Sequence, residues 1–277
     1  MKKIKTFLFS TVPFLSSIGL QLVAAYYILF IAAIFLFVIA PMVNGTLYNI
    51  DDLMNLTTDT DFTTLLSAVY AVFSIGLFSI WFYKMGGNFK VNITKSFHGY
   101  ELLGILLLIP GSQFLSSLIT SMVSVVFPEW LEEYMELMES AGLSGDISLL
   151  MFVYAVILAP ISEELVFRGV TFGILRTVFP FWVANVLQAM MFGVFHMNAL
   201  QGCYTFVVGL IFGYVREKGS TIYHAILIHL LFNLWGTVAS KFILVEDPVI
   251  QTAIILLGCS IGMTAGLRFF NKGTQSK

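Results

Sequence analysis

The chain has 277 residues, of which 58% are hydrophobic and only 11% are charged, and this excludes a water-soluble globular protein, in which about a quarter of residues are charged. The formal net charge of −2, without a basic footprint, excludes a nucleic-acid-binding surface, so no nucleic-acid partner is expected. The apolar stretches are continuous and approach the roughly 20 residues that cross a bilayer as a helix. They predict an all-α polytopic membrane protein, embedded in the lipid bilayer.

Eight membrane spans are predicted in chain order. The first follows three lysines and is too long for the apolar region of a signal peptide, so we expect it to be retained. The sixth has only about 14 residues, which places the preceding turn, 196–201, within the membrane depth, inside the protein or a wet cavity. The predicted spans are 12–40, 63–83, 101–127, 148–168, 180–197, 202–215, 221–240 and 249–267.

Two segments are predicted on the outer side. Residues 41–62 are rich in Asn, Thr and Asp and predict an outer loop. Residues 128–141 place apolar side chains at helical spacing between acidic ones, which predicts an amphipathic helix on the outer surface. A helical cap on the bundle with no binding role is the favoured alternative for that segment.

Basic residues give the orientation. Thirteen of the 14 Lys and Arg residues fall on one side of the predicted spans, and only Lys241 falls on the other. Because Lys and Arg accumulate on the cytoplasmic side of membrane proteins, both termini are predicted to be cytoplasmic. The same asymmetry, together with short loops, favours a bacterial plasma membrane.

A pair of glutamates ends the fourth span, and ionisable groups in such segments commonly carry function. Glu164 and Arg168 lie four residues apart with the acid first, the favourable order for an ion pair on a helix, and this leaves Glu163 free. Pro160 removes a helix hydrogen bond, so we expect Ser162 to cap a restarted helix whose first turn holds both acids.

Two later spans supply the remaining polar groups. His196 follows Phe192 by one helical turn, and His229 shares a helix face with Asn233. Because each group needs a partner in an apolar bundle, we expect Glu163, His196, His229 and Asn233 to converge. A carboxylate and a histidine would then activate a water molecule, and the other two side chains would donate hydrogen bonds to an oxyanion.

Other chemistries were weighed. Ser162 and Cys203 are the nearest candidate nucleophiles, but neither has a marked base partner. A zinc site built from Glu163, His196 and His229 is a chemical alternative, although the His-Glu-x-x-His pattern is missing. No cofactor is expected, and metal-free water activation is favoured over zinc.

The ordered motifs resemble a known family. Glu163-Glu164-x-x-x-Arg168, Phe192-x-x-x-His196 and His229-x-x-x-Asn233, on successive spans, resemble the CPBP family of intramembrane proteases. This family includes the type II CAAX prenyl endopeptidases and bacteriocin-processing or immunity proteins, and is also called Abi. The resemblance implies that Glu163 and His196 activate water, that His229 and Asn233 stabilise the oxyanion, and that Glu164 and Arg168 organise the site.

The resemblance divides the chain and suggests its activity. Residues 1–147 would hold family-variable spans with the outer segment, 148–240 the catalytic core, and 241–277 the last span with a cytoplasmic tail. The implied function is endopeptidase cleavage of a membrane-associated peptide or protein precursor. There are two alternatives: a non-proteolytic immunity or scaffold protein of the same fold, and a small transporter. The transporter is the less favoured of the two, because the chain has no internal repeat typical of transporters.

Overall fold

The structure is a computed structural model, which describes residues 2–90, 96–238 and 247–276, with only the backbone of Pro248. Three of the counted basic residues lie outside the described residues: Lys95, Lys241 and Lys277. The end of the seventh predicted span, 221–240, and the beginning of the last predicted segment, 241–277, also lie outside them. The described residues are 87% helical, and no strand occurs among them. The predicted all-α membrane fold is confirmed.

Ten helices follow one another along the described chain. Six of them are long and apolar enough to cross a membrane, and two shorter apolar ones, α7 and α9, accompany them. The helices are α1 (Lys2–Asn44), α2 (Ile50–Thr58), α3 (Thr60–Lys84), α4 (Gly99–Val126), α5 (Pro128–Ser140), α6 (Leu149–Arg176), α7 (Phe181–Phe195), α8 (Ala199–Gly219), α9 (Ile222–Val238) and α10 (Pro248–Gln275). Each predicted span overlaps one of the eight apolar helices.

Three sequence expectations need correction. The sixth span is helix α8, which has 21 residues and is long enough to cross, whereas α7, with 15, is the short one. The expected outer loop contains helix α2, because Asn49 and Asp52 form a capping box at its start. The turn after α7 is only partly enclosed by protein, because Met197 is 83% exposed whereas Leu200 is fully buried.

Close helix packing uses small residues. Helices α4 and α10 run against each other, and a Cβ added at Gly111 would lie 2.8 Å from the backbone carbon of Gly262. Helices α7 and α8 form a hairpin in which a Cβ at Gly193 would lie 2.8 Å from the carbonyl oxygen of Gly202. Because water does not drive helices together inside a bilayer, such close backbone approach supplies the packing energy instead.

Helix α6 is the centre of the bundle. It packs against α1, α3, α7 and α9, and one hydrophobic cluster built around its Phe167 and Val170 includes Phe78, Phe82 and Phe192 from neighbouring helices. A second cluster joins α4, α8, α9 and α10. Helix α9 contributes to both clusters, so its polar residues lie between the two halves of the core.

The outer helix α5 forms where an amphipathic helix was predicted. It contacts α8, and the hydroxyl groups of Tyr134 and Tyr204 lie 3.4 Å apart. This contact attaches the helix to the bundle, which agrees with the capping alternative.

Candidate active site

The glutamate pair lies in a helix with an irregular backbone. Within α6, the α-helical turn Ala159–Glu164 lies between two π-helical segments, Tyr154–Leu158 and Leu165–Thr171. The wider π-helical turn before Pro160 accommodates a residue without a backbone N–H. The helix therefore continues at the position where we expected it to restart. The expected cap is also wrong, because the hydroxyl of Ser162 donates to Ser74 Oγ at 2.7 Å instead.

Glu164 is the shared acceptor of the site. Its Oε1 accepts a hydrogen bond from Arg168 Nη1 at 2.9 Å, the i,i+4 ion pair expected from the spacing, with both side chains fully buried. The same oxygen lies 2.7 Å from Nδ1 of His229 on α9. Since a carboxylate only accepts, His229 carries a proton on Nδ1, and its Nε2 points away from Glu164.

Arg168 attaches this ion pair to helices α7 and α8. Its Nη2 donates to the carbonyl oxygen of Gly209 at 3.2 Å. The guanidinium also lies over the ring of Phe192, 4.2 Å from the centroid, and 5.4 Å from that of Phe212. Aromatic faces stabilise a buried cation, so Arg168 holds α7 and α8 against α6 beside Glu164.

Glu163 differs from its neighbour in exposure. Its side chain is 16% exposed, whereas that of Glu164 is 0% exposed. Glu163 Oε2 lies 3.7 Å from His229 Nε2, beyond direct hydrogen-bonding distance. Thus His229 faces Glu164 with one ring nitrogen and Glu163 with the other.

His196 follows the last residue of α7 and is half-buried. Its Nδ1 lies 2.8 Å from the carbonyl oxygen of Phe192, a bond in which the ring must donate, so Nε2 of the neutral imidazole holds a free lone pair. The rings of both His196 and His229 meet the Phe192 ring edge-on, with centroids 4.8 and 5.9 Å away. The two histidines therefore border the same aromatic ring.

Asn233 lies one helical turn beyond His229. Its Nδ2 donates to the carbonyl oxygen of Ala155 at 2.8 Å, in the first π-helical segment of α6. The amide retains a second N–H on the same nitrogen. This bond holds α9 against the first π-helical segment of α6, which precedes the glutamate pair in the sequence.

Sequence reasoning missed two sets of supporting residues. In α7, Gln188 donates to Asn185 Oδ1 at 2.8 Å and to the carbonyl oxygen of Gly209 at 3.0 Å, the oxygen that Arg168 also contacts. The sequence does show this set, because Asn185 and Gln188 place two amide side chains in an otherwise apolar span. In the other set, Ser17 on α1 and Tyr70 on α3 share a hydrogen bond of 2.5 Å.

The alternative chemistries find little support in the geometry. Among the described residues, no group of three or more His, Cys, Asp and Glu side chains is placed to hold a metal ion, and this includes the set Glu163, His196 and His229. The hydroxyl of Ser162 is bound to Ser74, and Cys203 is a half-buried free thiol.

Comparisons with known proteins agree with the motifs. Residues 145–235 match the model of a family described as Rce1-like, type II CAAX prenyl endopeptidase. Over 84 residues the chain is 29% identical to a curated Bacillus subtilis (strain 168) protein named "Putative membrane peptidase YdiL", a match that spans 30% of this chain and 34% of that protein. No solved structure matches.

The matched segment begins shortly before α6 and ends within α9, so it contains all three motifs. Helices α1 to α5 and α10 lie outside it. The chain is an integral membrane protein with several apolar helices. The resemblance read from the three motifs is confirmed for this segment: residues 145–235 are similar to the Rce1-like family of type II CAAX prenyl endopeptidases.

Proposed function

We propose that the protein is an intramembrane endopeptidase that cleaves a membrane-associated peptide or protein precursor. One observation carries the proposal. Glu164 Oε1 is occupied by both Arg168 and His229. Among the described residues, neighbouring Glu163 pairs only with the more distant Nε2 of His229, at 3.7 Å, and it is the more exposed acid. Glu164 therefore has a structural role, and the carboxylate of Glu163 is available for catalysis.

In the proposed reaction, Glu163 acts as the general base. A water molecule between Glu163 and the free Nε2 of His196 gives its proton to the carboxylate as its oxygen attacks the scissile carbonyl carbon. The tetrahedral intermediate then collapses, the carbon–nitrogen bond breaks, and the proton held by Glu163 passes to the leaving amine. The products are a new carboxylate and a new amine.

His229 and Asn233 would stabilise the oxyanion formed in the first step. Asn233 has a second amide N–H beyond the one bound to Ala155. His229 would donate to the oxyanion from Nε2 once that nitrogen carries a proton, while Nδ1 remains bound to Glu164. Glu164 and Arg168 hold the His229 ring at the required orientation, which makes them positioning residues.

The setting of the reaction follows from the same proposal. The substrate is a peptide or protein held at the lipid bilayer, in a bacterial plasma membrane, and both termini of the enzyme face the cytoplasm. No cofactor is required. Thirteen of 14 basic residues on one side of the spans support this orientation.

The function is tested with the purified chain in detergent and a panel of candidate membrane peptides. Mass spectrometry of the products should show cleavage at one bond by the wild type and a loss of about 10²–10⁴-fold in rate for Glu163→Ala. Full activity in Glu163→Ala would refute the role of this residue. The absence of cleavage of every peptide by a folded wild type would favour the non-proteolytic alternative.

A further inference from the structure

A polar cavity lies at one end of the bundle, away from the glutamate pair. It has a volume of about 420 Å³ and lies between the segment that follows α3 and the turn that joins α8 to α9. The ends of α3 and α8 and the start of α9 meet there, so it faces one membrane surface. Its polar lining includes Lys90, Ser96, Arg216, Ser220 and Thr221.

The cavity holds two cations and no acid among its described lining residues. Arg216 is largely buried, and its Nε is buried without a hydrogen-bond partner among the described residues. The nearby Arg176 differs, since its Nε and Nη2 bind both carboxylate oxygens of Glu217 at 3.3 and 2.8 Å. An anion in the cavity would compensate the charges of Arg216 and Lys90.

The backbone of the turn favours an anion as well. Ser220 has a left-handed backbone, with φ of 68°, where glycine would fit with less strain, and its side chain lines the cavity. The following residues begin α9, whose first backbone N–H groups have no partner within the helix. A helix N-terminus together with a guanidinium and an ammonium is a recurring arrangement for phosphate.

An apolar cleft of about 500 Å³ adjoins this cavity. It is lined by Phe89, Phe97, Tyr223, Ile226 and Leu230, and it extends from the end of the bundle along α9. Phe89, Phe97 and Tyr223 are each next in sequence to a residue that lines the polar cavity. The hydroxyl of Tyr223 donates to the carbonyl oxygen of Phe89 at 2.9 Å, which fixes the wall between the two spaces.

We propose that this pair of spaces binds an anionic phospholipid. The phosphate-bearing headgroup contacts Arg216 and Lys90 in the polar cavity, and an acyl chain lies along the apolar cleft. The polar cavity is at a membrane surface, where headgroups are, and the cleft begins beside it. This lipid site is separate from the proposed catalytic residues and does not depend on the protease activity.

Binding is measured by native mass spectrometry of the full chain in detergent with a short-chain phosphatidylglycerol. Phosphatidylcholine with the same acyl chains is the headgroup control. The wild type should retain phosphatidylglycerol preferentially, and Arg216→Gln should weaken retention at least about tenfold through loss of charge-assisted hydrogen bonds. Lys90→Gln, a change in an exposed loop residue, should weaken it in the same direction.

Lys218→Gln is the matched control, since Lys218 is exposed on the same helix and does not line the cavity. It should bind the lipid within about twofold of the wild type. Equal losses in Lys218→Gln and the two cavity variants would indicate unspecific charge attraction and overturn the site. If Arg216→Gln does not fold, Lys90→Gln and Ser220→Gly, which relieves strain and removes a hydroxyl, provide the same comparison.

Inorganic phosphate tests the source of the anion. It should displace the lipid only at much higher concentration, because it cannot occupy the apolar cleft. Displacement by phosphate at the lipid's own concentration would overturn the lipid assignment and identify a site for the free anion. Failure of the wild type to bind either compound would refute the anion site itself.

Discussion

Helix α9 carries two buried histidines, five residues apart, and each lies beside a glutamate from another helix. His224 Nε2 lies 3.6 Å from Glu101 Oε2, and His229 Nδ1 lies 2.7 Å from Glu164 Oε1. The side chains of Glu101, Glu164 and His224 are fully buried, and that of His229 is 5% exposed. The residue types are therefore the same, and the difference must lie in what surrounds them.

The first pair holds helix ends together. Glu101 closes the capping box of α4 by accepting a hydrogen bond from the backbone of His98, and His224 Nδ1 lies 2.7 Å from Thr221 Oγ1 at the start of α9. The ring of Phe97 stacks on His224, with centroids 4.2 Å apart. These contacts join the beginnings of α4 and α9, a structural role.

Two further groups surround the second pair. Arg168 compensates the charge of Glu164, and a second, more exposed carboxylate, Glu163, faces the remaining nitrogen of His229. A histidine–glutamate pair in a membrane helix is thus no sign of catalysis by itself. Under the proposed function, the reactive group is this additional carboxylate, which forms no ion pair with a Lys or Arg among the described residues.

The largest expected effect on activity comes from His196, which has no equivalent in the first pair. His196→Gln should reduce the rate of peptide cleavage about 10²–10⁴-fold, because the water loses one of its two proposed partners. The thermal unfolding temperature should change little, since the ring makes a single hydrogen bond, to Phe192. A variant with wild-type kinetics would remove His196 from the mechanism.

Asn233 ranks next. Asn233→Ala should reduce the rate about 10²–10³-fold by removing an oxyanion donor. Asn233→Asp is the matched variant of similar shape, which lacks the amide N–H groups and adds a charge. Steady-state kinetics should show that kcat falls in both variants; a change in KM alone would assign Asn233 to substrate binding.

Glu164 and Arg168 should affect stability together with rate. Glu164→Gln removes the charge that compensates Arg168, and Arg168→Ala leaves Glu164 as a buried carboxylate without its cation, so each change should destabilise the fold by about 3–5 kcal/mol. The double variant Glu164→Gln/Arg168→Met should unfold at a higher temperature than either single variant. Single variants as stable as the wild type would contradict the structural role of this pair.

The smallest effect on activity is expected near His224. A Cβ at Gly219 would lie 2.4 Å from Cγ of His224, so Gly219→Ala should destabilise the fold by about 1–3 kcal/mol through overpacking. The cleavage rate of the folded fraction should stay within about threefold of the wild type. A rate loss as large as that of Asn233→Ala would mean that the first pair also serves catalysis.

Much of this site could be predicted from the sequence because the chemistry depends on spacing along helices. The four-residue spacing of Glu164 and Arg168 predicts their ion pair, and that of His229 and Asn233 predicts a shared face. Polar residues in apolar spans were sufficient to propose the site. The membrane composition likewise predicted the helices, since lipid permits few alternatives.

The partners across helices could not be predicted in this way. That Glu164, and not Glu163, binds His229 depends on how α6 and α9 are rotated against each other. The two π-helical segments that set this rotation have no reliable sequence signal beyond Pro160. The hydrogen bond from Asn233 to the carbonyl oxygen of Ala155 could not be predicted for the same reason, because Ala155 lies in the first of these π-helical segments.

The central claim is that Glu163 is the reactive acid, and it is tested most directly by one matched pair of variants. Glu163→Gln and Glu101→Gln each replace a carboxylate beside a histidine of α9 with an amide of nearly the same shape. Cleavage of one membrane peptide is measured by mass spectrometry, with the folded fraction of each variant determined in parallel. Glu163→Gln should lose about 10²–10⁴-fold in rate while remaining folded, and Glu101→Gln should cleave at nearly the wild-type rate. Wild-type cleavage by Glu163→Gln, or equal rate losses in both variants, would contradict the account.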